Sequence, residues 1–360
     1  MSSITVKDEP IAEKMVQMGR GHLMDVVHKP DLPPRVSVII PTYNRAQIVC
    51  ACVDSVLRSD WPDMEVIVAD DCSPDDTRRM VEERYRSDAR VKYARTERNS
   101  LTSGARNQGA RCATGDYYFF LDDDNLIEPD CITELLAVFG RHPSAAFVAP
   151  LTVHGAEGEN RPVWTTGSYY NPWTSKGRDA TPPNCRLNSL PEGLEWPTSY
   201  SPNAFMTTKV AFEQVNGFDE GYGMQFDEAD FGIRVTKQVG EGWISSRART
   251  NHLGYVESDK KAPLRGLGIE RPKRAYTFGR NRMKFARRHF RWYQAVVVML
   301  AFAPMTACYY WPYGMVRHFA DLRMPAERFL ESAVSTAQSG SGDEVVPLRE
   351  CLCAGEFPVL

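Results

Sequence analysis

The sequence lacks the signatures that would assign it to several common classes of enzyme. Its 360 residues contain no G-x-G-x-x-G after a first strand and no G-x-x-x-x-G-K-[ST], so a dinucleotide-dependent enzyme and a P-loop kinase are both disfavoured. Its nine cysteines include no C-x-x-C pair, which favours reduced thiols in a cytosolic compartment over a zinc module. The formal net charge of -3 gives no reason to expect nucleic-acid binding. Residues 1–34 have no continuous apolar core and no small-residue cleavage site, so we do not expect a signal peptide.

What the sequence does contain is a regular alternation of strand and helix patterns. The strand patterns lie at 36–40, 65–69, 91–95, 117–121 and 145–150, and helix patterns separate them. We expect Asn44 to cap the first helix and Ser73 to begin the second. The alternation predicts an α/β fold with a doubly wound, mostly parallel sheet.

The most informative stretch is the end of the fourth strand pattern. The apolar run 117–121 is followed directly by three carboxylates, Asp122, Asp123 and Asp124, as expected of a buried central strand that ends at a site. Three adjacent carboxylates repel one another, so we expect positive charge among them. Oxygen ligands of this kind suit Mg²⁺ or Mn²⁺, especially when the metal also binds a phosphate. The alternative is a solvated acidic turn.

Two other strand ends should meet this acidic edge. Thr42, Tyr43 and Arg45 follow the first strand, and Asp71 follows the second. Because the carboxyl ends of parallel strands lie on one edge of a sheet, the three ends converge on one crevice, where a nucleotide would bind. A nucleotide held without a glycine-rich loop needs a metal on its phosphates, and the acid triplet can supply the ligands.

The second half of the chain is less regular. Residues 151–201 are rich in Pro, Gly, Asn, Trp and Tyr, and they are too long for a simple connector, so we interpret them as an insertion with aromatic surface for a substrate. A helix from about 227 to 239 begins with a second acid cluster that includes Asp227 and Glu228. The expected divisions are an N-terminal extension (1–34), a nucleotide-binding half (35–150), an acceptor-binding half (151–260), and basic and apolar C-terminal helices with a flexible tail (261–360).

One segment near the C-terminus has two interpretations. Residues 292–316 contain no charged side chain and are long enough to span a bilayer, and arginines flank both ends. Pro304 and Pro312 interrupt the segment, however. It is either a membrane-embedded or interfacial segment or a buried helix pair of a soluble domain.

Six motifs in order resemble the family-2 glycosyltransferases of GT-A fold, over roughly residues 35–252. They are VSVIIPTYNR at 36–45, VADDCS at 68–73, GARN at 104–107, LDDD at 121–124, NGFDE at 216–220, and the acid helix that ends with Phe231 and Arg234. The resemblance implies inverting sugar transfer from a UDP-, dTDP- or GDP-linked donor to a hydroxyl of a glycan or lipid-linked acceptor. It also implies a role in polysaccharide or cell-envelope biosynthesis, with the catalytic domain in the cytoplasm, either free or associated with the membrane.

The resemblance also implies roles for the residues of the donor site. Those that would contact the nucleotide sugar are Pro41, Thr42, Tyr43, Arg45, Asp71, Arg106, Asp122 and Asp123. Among them, Asp71 would accept a hydrogen bond from the base, and Arg106 would either face the diphosphate or form a salt bridge on its own helix. Asp124 would bind the metal directly and Asp122 through water, whereas His252 would be a further metal ligand or a structural histidine.

The family's Glu-Asp pair is reversed here as Asp227-Glu228. Counting back from Arg234 places Glu228 at the position of the general base that deprotonates the acceptor, with Asp227 as its neighbour. The alternative is that these acids only form a solvated helix N-terminus, which the helix dipole favours.

One departure from the family pattern indicates whether the enzyme adds one sugar or many. Arg291-Trp292 is preceded by Arg288 where processive synthases have Gln, so a single-addition transferase is favoured. Residues 278–282 resemble the basic, aromatic stretch of members that use lipid-linked acceptors; the alternative is a cationic helix that contacts nothing.

Two other functions remain open: a catalytically inactive scaffold of the same fold, and a sugar nucleotidyltransferase. The latter would need a glycine-rich basic loop where 41–45 lie.

Overall fold

The computed structural model describes residues 33–253 and 272–301, apart from 156, 157, 159, 174, 175, 180, 183 and 192. Residues 302–316 of the uncharged segment, and both of its prolines, lie outside the described residues.

The first part of the chain alternates strands and helices as predicted. Its elements are β1 (Val36–Thr42), α1 (Ala46–Leu57), β2 (Met64–Asp70), α2 (Thr77–Arg84), β3 (Val91–Arg95), α3 (Leu101–Cys112), β4 (Tyr117–Leu121), β5 (Asn125–Ile127), α4 (Cys131–Arg141) and β6 (Ala145–His154).

The second part contains mostly short strands, one long strand and several helices. Its elements are β7 (Val163–Thr165), β8 (Ser168–Asn171), β9 (Lys176–Asp179), a 3₁₀ turn (Leu187–Ser189), β10 (Glu195–Thr198), β11 (Ala204–Thr208), α5 (Lys209–Gln214), α6 (Asp227–Gln238), β12 (Glu241–His252) and α7 (Pro272–His289). Residues 292–301 are also helical. None of the helices in the described ranges is both long and apolar enough to cross a membrane.

Most of these strands form one mixed sheet. Its main order is β10-β12-β6-β11-β4-β1-β2-β3, with β5 against β12 and β7 against β6. The ladders from β4 through β1 and β2 to β3 are parallel, and so is the ladder between β6 and β12. The acid-tipped β4 is central as predicted, but its second neighbour, β11, is antiparallel.

Helices cover both faces of this sheet, as the α/β prediction requires. On one face, buried residues of α1 and α4 pack on alternate strand residues such as Val38 and Val66. On the other face, α5 and α6 form an aromatic cluster with the intervening strand residues, in which Phe231 stacks on Phe205 at 5.3 Å. The apolar area removed from water on the two faces stabilises the sheet by roughly 25 cal/mol per Å² and fixes the position of its carboxyl edge.

The sequence misplaced the end of β1 and the starts of α1 and α2, which lie near this edge. β1 continues through Pro41 because its ladder with β4 ends at Ile39, so the missing N–H of Pro41 removes no bond from that ladder. Asn44 does not cap α1. It has a left-handed backbone (φ 55°) and its N–H donates to Ser73 Oγ at 2.9 Å, while Arg45 occupies the cap position. Asn44 and Ser73 therefore join two loops at the carboxyl edge instead of starting helices.

Candidate active site

The ends of β1, β2 and β4 meet at one edge, as the sequence predicted. The backbone N–H of Asp71 donates to the carbonyl of Thr42 at 2.9 Å, which joins the ends of β1 and β2. The Thr42 hydroxyl donates to Asp123 Oδ2 at 2.7 Å, which joins the ends of β1 and β4. The crevice edge is therefore held by direct hydrogen bonds.

The first cluster at this edge is centred on Arg106 of α3. Its guanidinium donates to Asp122 Oδ1 at 2.6 Å, to Asp227 Oδ2 at 2.9 Å and to Glu228 Oε1 at 2.6 Å. Glu228 Oε1 also accepts the backbone N–H of Asn203 at 3.0 Å. Arg106 thus links the end of β4 to the first turn of α6, and it makes none of these contacts within its own helix.

Burial shapes the electrostatics of the Arg106 cluster. The Arg106 side chain is only 2 % exposed, against 18 % for Glu228 and 26 % for Asp122. Burial raises the pKa of all three acids, although Arg106 opposes this, and the pKa of Glu228 reaches about 7. Burial disfavours the guanidinium charge, but the three carboxylates outweigh burial and raise the pKa of Arg106. One fixed positive charge therefore lies among three acids that hold their protons more tightly than usual.

The second cluster is centred on Arg45, at the start of α1. Its guanidinium lies 2.9 Å from Asp123 Oδ1 and 3.2 Å from Asp124 Oδ2, and its side chain is 48 % exposed. Burial raises the pKa of Asp123 to about 7, against the opposing effect of Arg45. The predicted positive charge among the triplet is thus supplied by two arginines from two different helices.

His252 approaches the third acid of the triplet. Its Nε2 lies 3.7 Å from Asp124 Oδ1, because β12 runs back past the turn that follows β4. Trp164 stacks on the His252 ring with centroids 5.1 Å apart and an angle of 18° between the planes. His154, beside it on β6, places Nδ1 3.3 Å from the His252 carbonyl oxygen. Among the described residues, no three His, Cys, Asp or Glu side chains are arranged as a complete metal site.

The remaining residues predicted for the donor site lie at the ends of β1 and β2. Asp71 is buried, and its Oδ1 accepts from Ser100 N at 2.7 Å, Ser100 Oγ at 2.8 Å and Thr96 Oγ1 at 3.0 Å. Pro41 is buried in β1 and Tyr43 is half-buried just after it. The crevice therefore presents its acids in the order Asp71, then the triplet, then the first turn of α6.

Several residues that shape the site were not found from sequence. Ser100 and Thr96 bind Asp71, and the Asn203 N–H binds Glu228, but a serine, a threonine and a backbone amide carry no distinctive pattern. Trp164 lies in the region expected to offer aromatic surface to a substrate, yet it packs on His252. The sequence indicates where aromatic residues occur along the chain, but it does not indicate which residues each of them packs against.

Comparison with known proteins identifies this architecture. Residues 37–192 match the model of Glycosyl transferase family 2. The chondroitin synthase of Escherichia coli is 36 % identical over 115 residues, which are 32 % of this chain and 17 % of that protein. The GalNAc(5)-diNAcBac-PP-undecaprenol beta-1,3-glucosyltransferase of Campylobacter jejuni is 35 % identical over 104 residues, 29 % of this chain and 34 % of that protein.

A solved structure shares the fold beyond the matched segment. GalNAc-T7, crystallised with UDP, GalNAc and Mn²⁺, superposes with a TM-score of 0.55 and 17 % identity over 69 % of this chain and 48 % of that one. The chain matches less than half the length of these relatives. Residues 37–192 thus match glycosyl transferase family 2 in sequence, and the sheet that they help to form shares its fold with a solved glycosyltransferase structure.

Proposed function

We propose that this chain is an inverting glycosyltransferase that moves a sugar from a nucleotide-diphospho-sugar to an acceptor hydroxyl. The observation that carries the proposal is the guanidinium of Arg106, which binds both Asp122 at the end of β4 and Glu228 at the start of α6. One side chain thereby fixes the distance between the donor edge and the candidate base. A single displacement requires the base and the leaving group to be held in a fixed relation, and this arrangement provides it.

Glu228 is the stronger candidate for the base. Its pKa, raised to about 7 by burial, suits a group that must accept a proton at neutral pH. Its side chain is more exposed to the crevice than that of Asp227, which is 4 % exposed. We assign Asp227 the role of holding Arg106, and Glu228 that of taking the acceptor proton while the new glycosidic bond forms and the nucleotide diphosphate leaves.

The residues present suit a divalent metal. Asp124 offers a carboxylate and His252 an imidazole 3.7 Å away, a donor pair that suits Mn²⁺ and also accommodates Mg²⁺. With two protein ligands, the other positions would be filled by diphosphate oxygens and water, as is common for metals that act on nucleotides. The metal would neutralise charge on the departing diphosphate. Arg45, which now contacts Asp124, would then be available to the diphosphate.

The donor's base would lie between β1 and β2. Pro41, Thr42 and Tyr43 would line the base and ribose, and Asp71 would accept from the base. The hydrogen bonds from Ser100 and Thr96 hold the Asp71 carboxylate in a fixed orientation, which supports this role. Asp122 and Asp123 would contact the ribose and metal-bound water.

For the acceptor, we propose a glycan or lipid-linked glycan used beside a membrane on its cytoplasmic side. The helix at 292–301 exposes apolar side chains, with Trp292 78 % and Leu300 71 % exposed, next to the exposed Arg287 and Arg291. Arginines near an anionic leaflet contribute about 1 kcal/mol each. The C. jejuni relative acts on an undecaprenol-linked glycan by its name, which supports this acceptor class.

Flotation with liposomes tests the membrane part. The full chain should float with vesicles that contain anionic lipid and remain behind with neutral vesicles. Replacement of Trp292 and Leu300 by Ser should reduce flotation, whereas the same change at the exposed Val210 on α5 serves as the control. Equal recovery with and without anionic lipid would contradict the membrane proposal. It would not contradict the proposed sugar transfer.

A donor screen tests the reaction. UDP-, dTDP- and GDP-sugars are incubated with Mn²⁺ or Mg²⁺, and release of the nucleotide diphosphate is measured with and without glycan acceptors. Release that depends on both metal and acceptor is the expected result. Thermal shift with UDP and Mn²⁺, against Mn²⁺ alone, separates binding from turnover. Binding without release under every condition would favour an inactive scaffold. Pyrophosphate formation in a separate incubation with a nucleoside triphosphate and a sugar 1-phosphate would indicate a nucleotidyltransferase.

A further inference from the structure

The helix that carries the candidate base begins from an uncommon backbone conformation. Gln225 and Phe226 have φ values of 65° and 64°, in the left-handed region that non-glycine residues rarely adopt. Phe226 is the cap residue of α6 and directly precedes Asp227. Such backbone persists only where its surroundings hold it. The contacts of residues 221–226, here called the turn loop, therefore set where α6 begins and where Glu228 points.

Helix α3 holds one side of the turn loop. Both the backbone N–H and the hydroxyl of Ser103 donate to the carbonyl of Gly223, each at 2.8 Å. Ser103 is one turn before Arg106, which binds Glu228. The same helix thus holds both the turn loop and the base.

Helix α7 holds the other side through one buried amide. Asn281 is fully buried, and its Nδ2 lies 2.8 Å from the Tyr222 carbonyl, 2.8 Å from that of Met224 and 3.0 Å from that of Gln225. The Arg280 guanidinium donates to Asn281 Oδ1 at 3.1 Å, which turns the amide so that its nitrogen faces the carbonyls. One side chain therefore gathers three carbonyls of the turn loop, including that of the left-handed Gln225.

We propose that Asn281 is a positioning residue for the general base: it holds the turn loop so that α6 presents Glu228 to Arg106 and the acceptor. This inference rests on the proposed glycosyl transfer. It gives residues 278–282 a function that the sequence did not indicate. The interpretation of this stretch as a helix that contacts nothing is wrong, because Arg280 and Asn281 both bind the turn loop.

Other contacts of α7 separate this role from simple docking of the helix. Lys284 Nζ binds Asp219 Oδ1 at 2.9 Å, His289 Nε2 lies 2.7 Å from Asp230 Oδ1, and Arg288 pairs with both acids. These contacts attach α7 to the segment before the turn loop and to α6. They would remain when the Asn281 amide is lost, so the effect of Asn281 can be measured with α7 still in place.

The test compares Asn281→Asp with Arg288→Met in the full chain. Asn281→Asp keeps the size of the side chain but replaces its donor group with oxygen facing three carbonyls, so α6 should shift and kcat should fall by about 10²-fold, as small misplacements of catalytic groups do. The KM for the donor should stay near that of the parent. Arg288→Met removes ion pairs of α7 but no bond to the turn loop, and its kcat should resemble the parent's. Asn281→Ser retains one donor and should recover part of kcat.

Hydrogen exchange gives a readout that does not depend on activity. Amides of residues 222–228 should exchange faster in Asn281→Asp than in the parent or in Arg288→Met, with α7 itself unchanged. A parental kcat in both Asn281 variants, or an equal loss of kcat and donor affinity, would overturn the proposal. If Asn281→Asp does not fold, Asn281→Ser decides by the same two measurements. If the parent transfers no sugar at all, the proposed function fails, and hydrogen exchange still shows whether Asn281 holds the turn loop.

Discussion

Two arginines neutralise the acids of this crevice, and they do so in opposite ways. Arg106 is buried and binds three carboxylates from two elements, whereas Arg45 is half-exposed and binds two neighbouring acids of one turn. A buried charge that loses its partners is costly to keep, but an exposed one is easily rehydrated. Arg106 is therefore a fixed part of the framework, whereas Arg45 is a charge whose contacts with the acids are easily exchanged.

The largest effect is expected from Arg106→Met. It would leave Asp122, Asp227 and Glu228 buried without their cation, so the free energy of unfolding should fall by about 3–5 kcal/mol. Urea denaturation measures this loss. Arg141→Met, which removes an exposed partner of Glu195, is the control and should change stability by less than about 1 kcal/mol. Similar losses in the two variants would remove the distinction between buried and exposed arginines.

Glu228→Gln should have the second largest effect. This substitution should lower kcat and leave the stability of the fold nearly unchanged. Loss of a general base should lower kcat by roughly 10²- to 10⁴-fold. Donor affinity, measured by calorimetry with the nucleotide diphosphate, should hardly change because the base contacts the acceptor. Asp227→Asn is the matched variant. If it proves the more damaging to kcat, with both proteins folded, the base is Asp227.

The third prediction concerns the metal. Asp124→Asn should remove most Mn²⁺-dependent nucleotide binding, because an amide oxygen is a much weaker metal ligand than a carboxylate, while leaving the melting temperature without metal nearly unchanged. His252→Gln should weaken binding less, since it removes the second ligand. Parental Mn²⁺-dependent affinity in Asp124→Asn would show that the metal binds elsewhere.

A fourth prediction follows from the raised pKa of Glu228. The folded state binds its proton more tightly than the unfolded state, so its contribution to stability is present below the unfolded pKa and is lost as the pH rises through about 7. With metal chelated, the parent should lose more stability than Glu228→Gln between pH 5 and pH 8. Equal pH dependence in the two proteins would place the titration on other groups.

The smallest effect is expected from Arg45→Ala. Because Arg45 is half-exposed, its loss should change the free energy of unfolding by less than about 1 kcal/mol. Affinity for Mn²⁺ alone should rise slightly and affinity for the donor should fall, each by less than about tenfold, the equivalent of about 1.4 kcal/mol. A large loss of stability would mean that Arg45 is as much part of the framework as Arg106.

The sequence correctly predicted the features that depend on local pattern, which are the positions of several strands and the edge at which their ends meet. The strands at Val91–Arg95 and Tyr117–Leu121 were placed to the residue, and the meeting of Thr42, Asp71 and the acid triplet followed from the parallel strands. Periodicity and the rule for strand ends suffice for these features, because each depends on residues close in sequence or on one general property of α/β sheets.

The contacts that decide the chemistry could not be predicted in this way. Arg106 binds Asp227 across 121 positions of sequence, and Asn281 binds the Tyr222 carbonyl across 59. Neither alternative proposed for Arg106 anticipated that it joins β4 to α6. Such pairs depend on how helices pack against the sheet, and a side chain's partner is set by that packing and not by its neighbours along the chain. For the same reason, the sequence did not predict that β11 lies beside β4 and runs antiparallel to it.

The central claim is that this crevice transfers a sugar by a single displacement. The most direct test is NMR of the transfer reaction with the donor that the screen identifies, because NMR records the anomeric configuration of donor and product together. We expect a product of opposite configuration, formed by the parent and formed much more slowly by Glu228→Gln. A product that retains the donor's configuration would contradict the central claim.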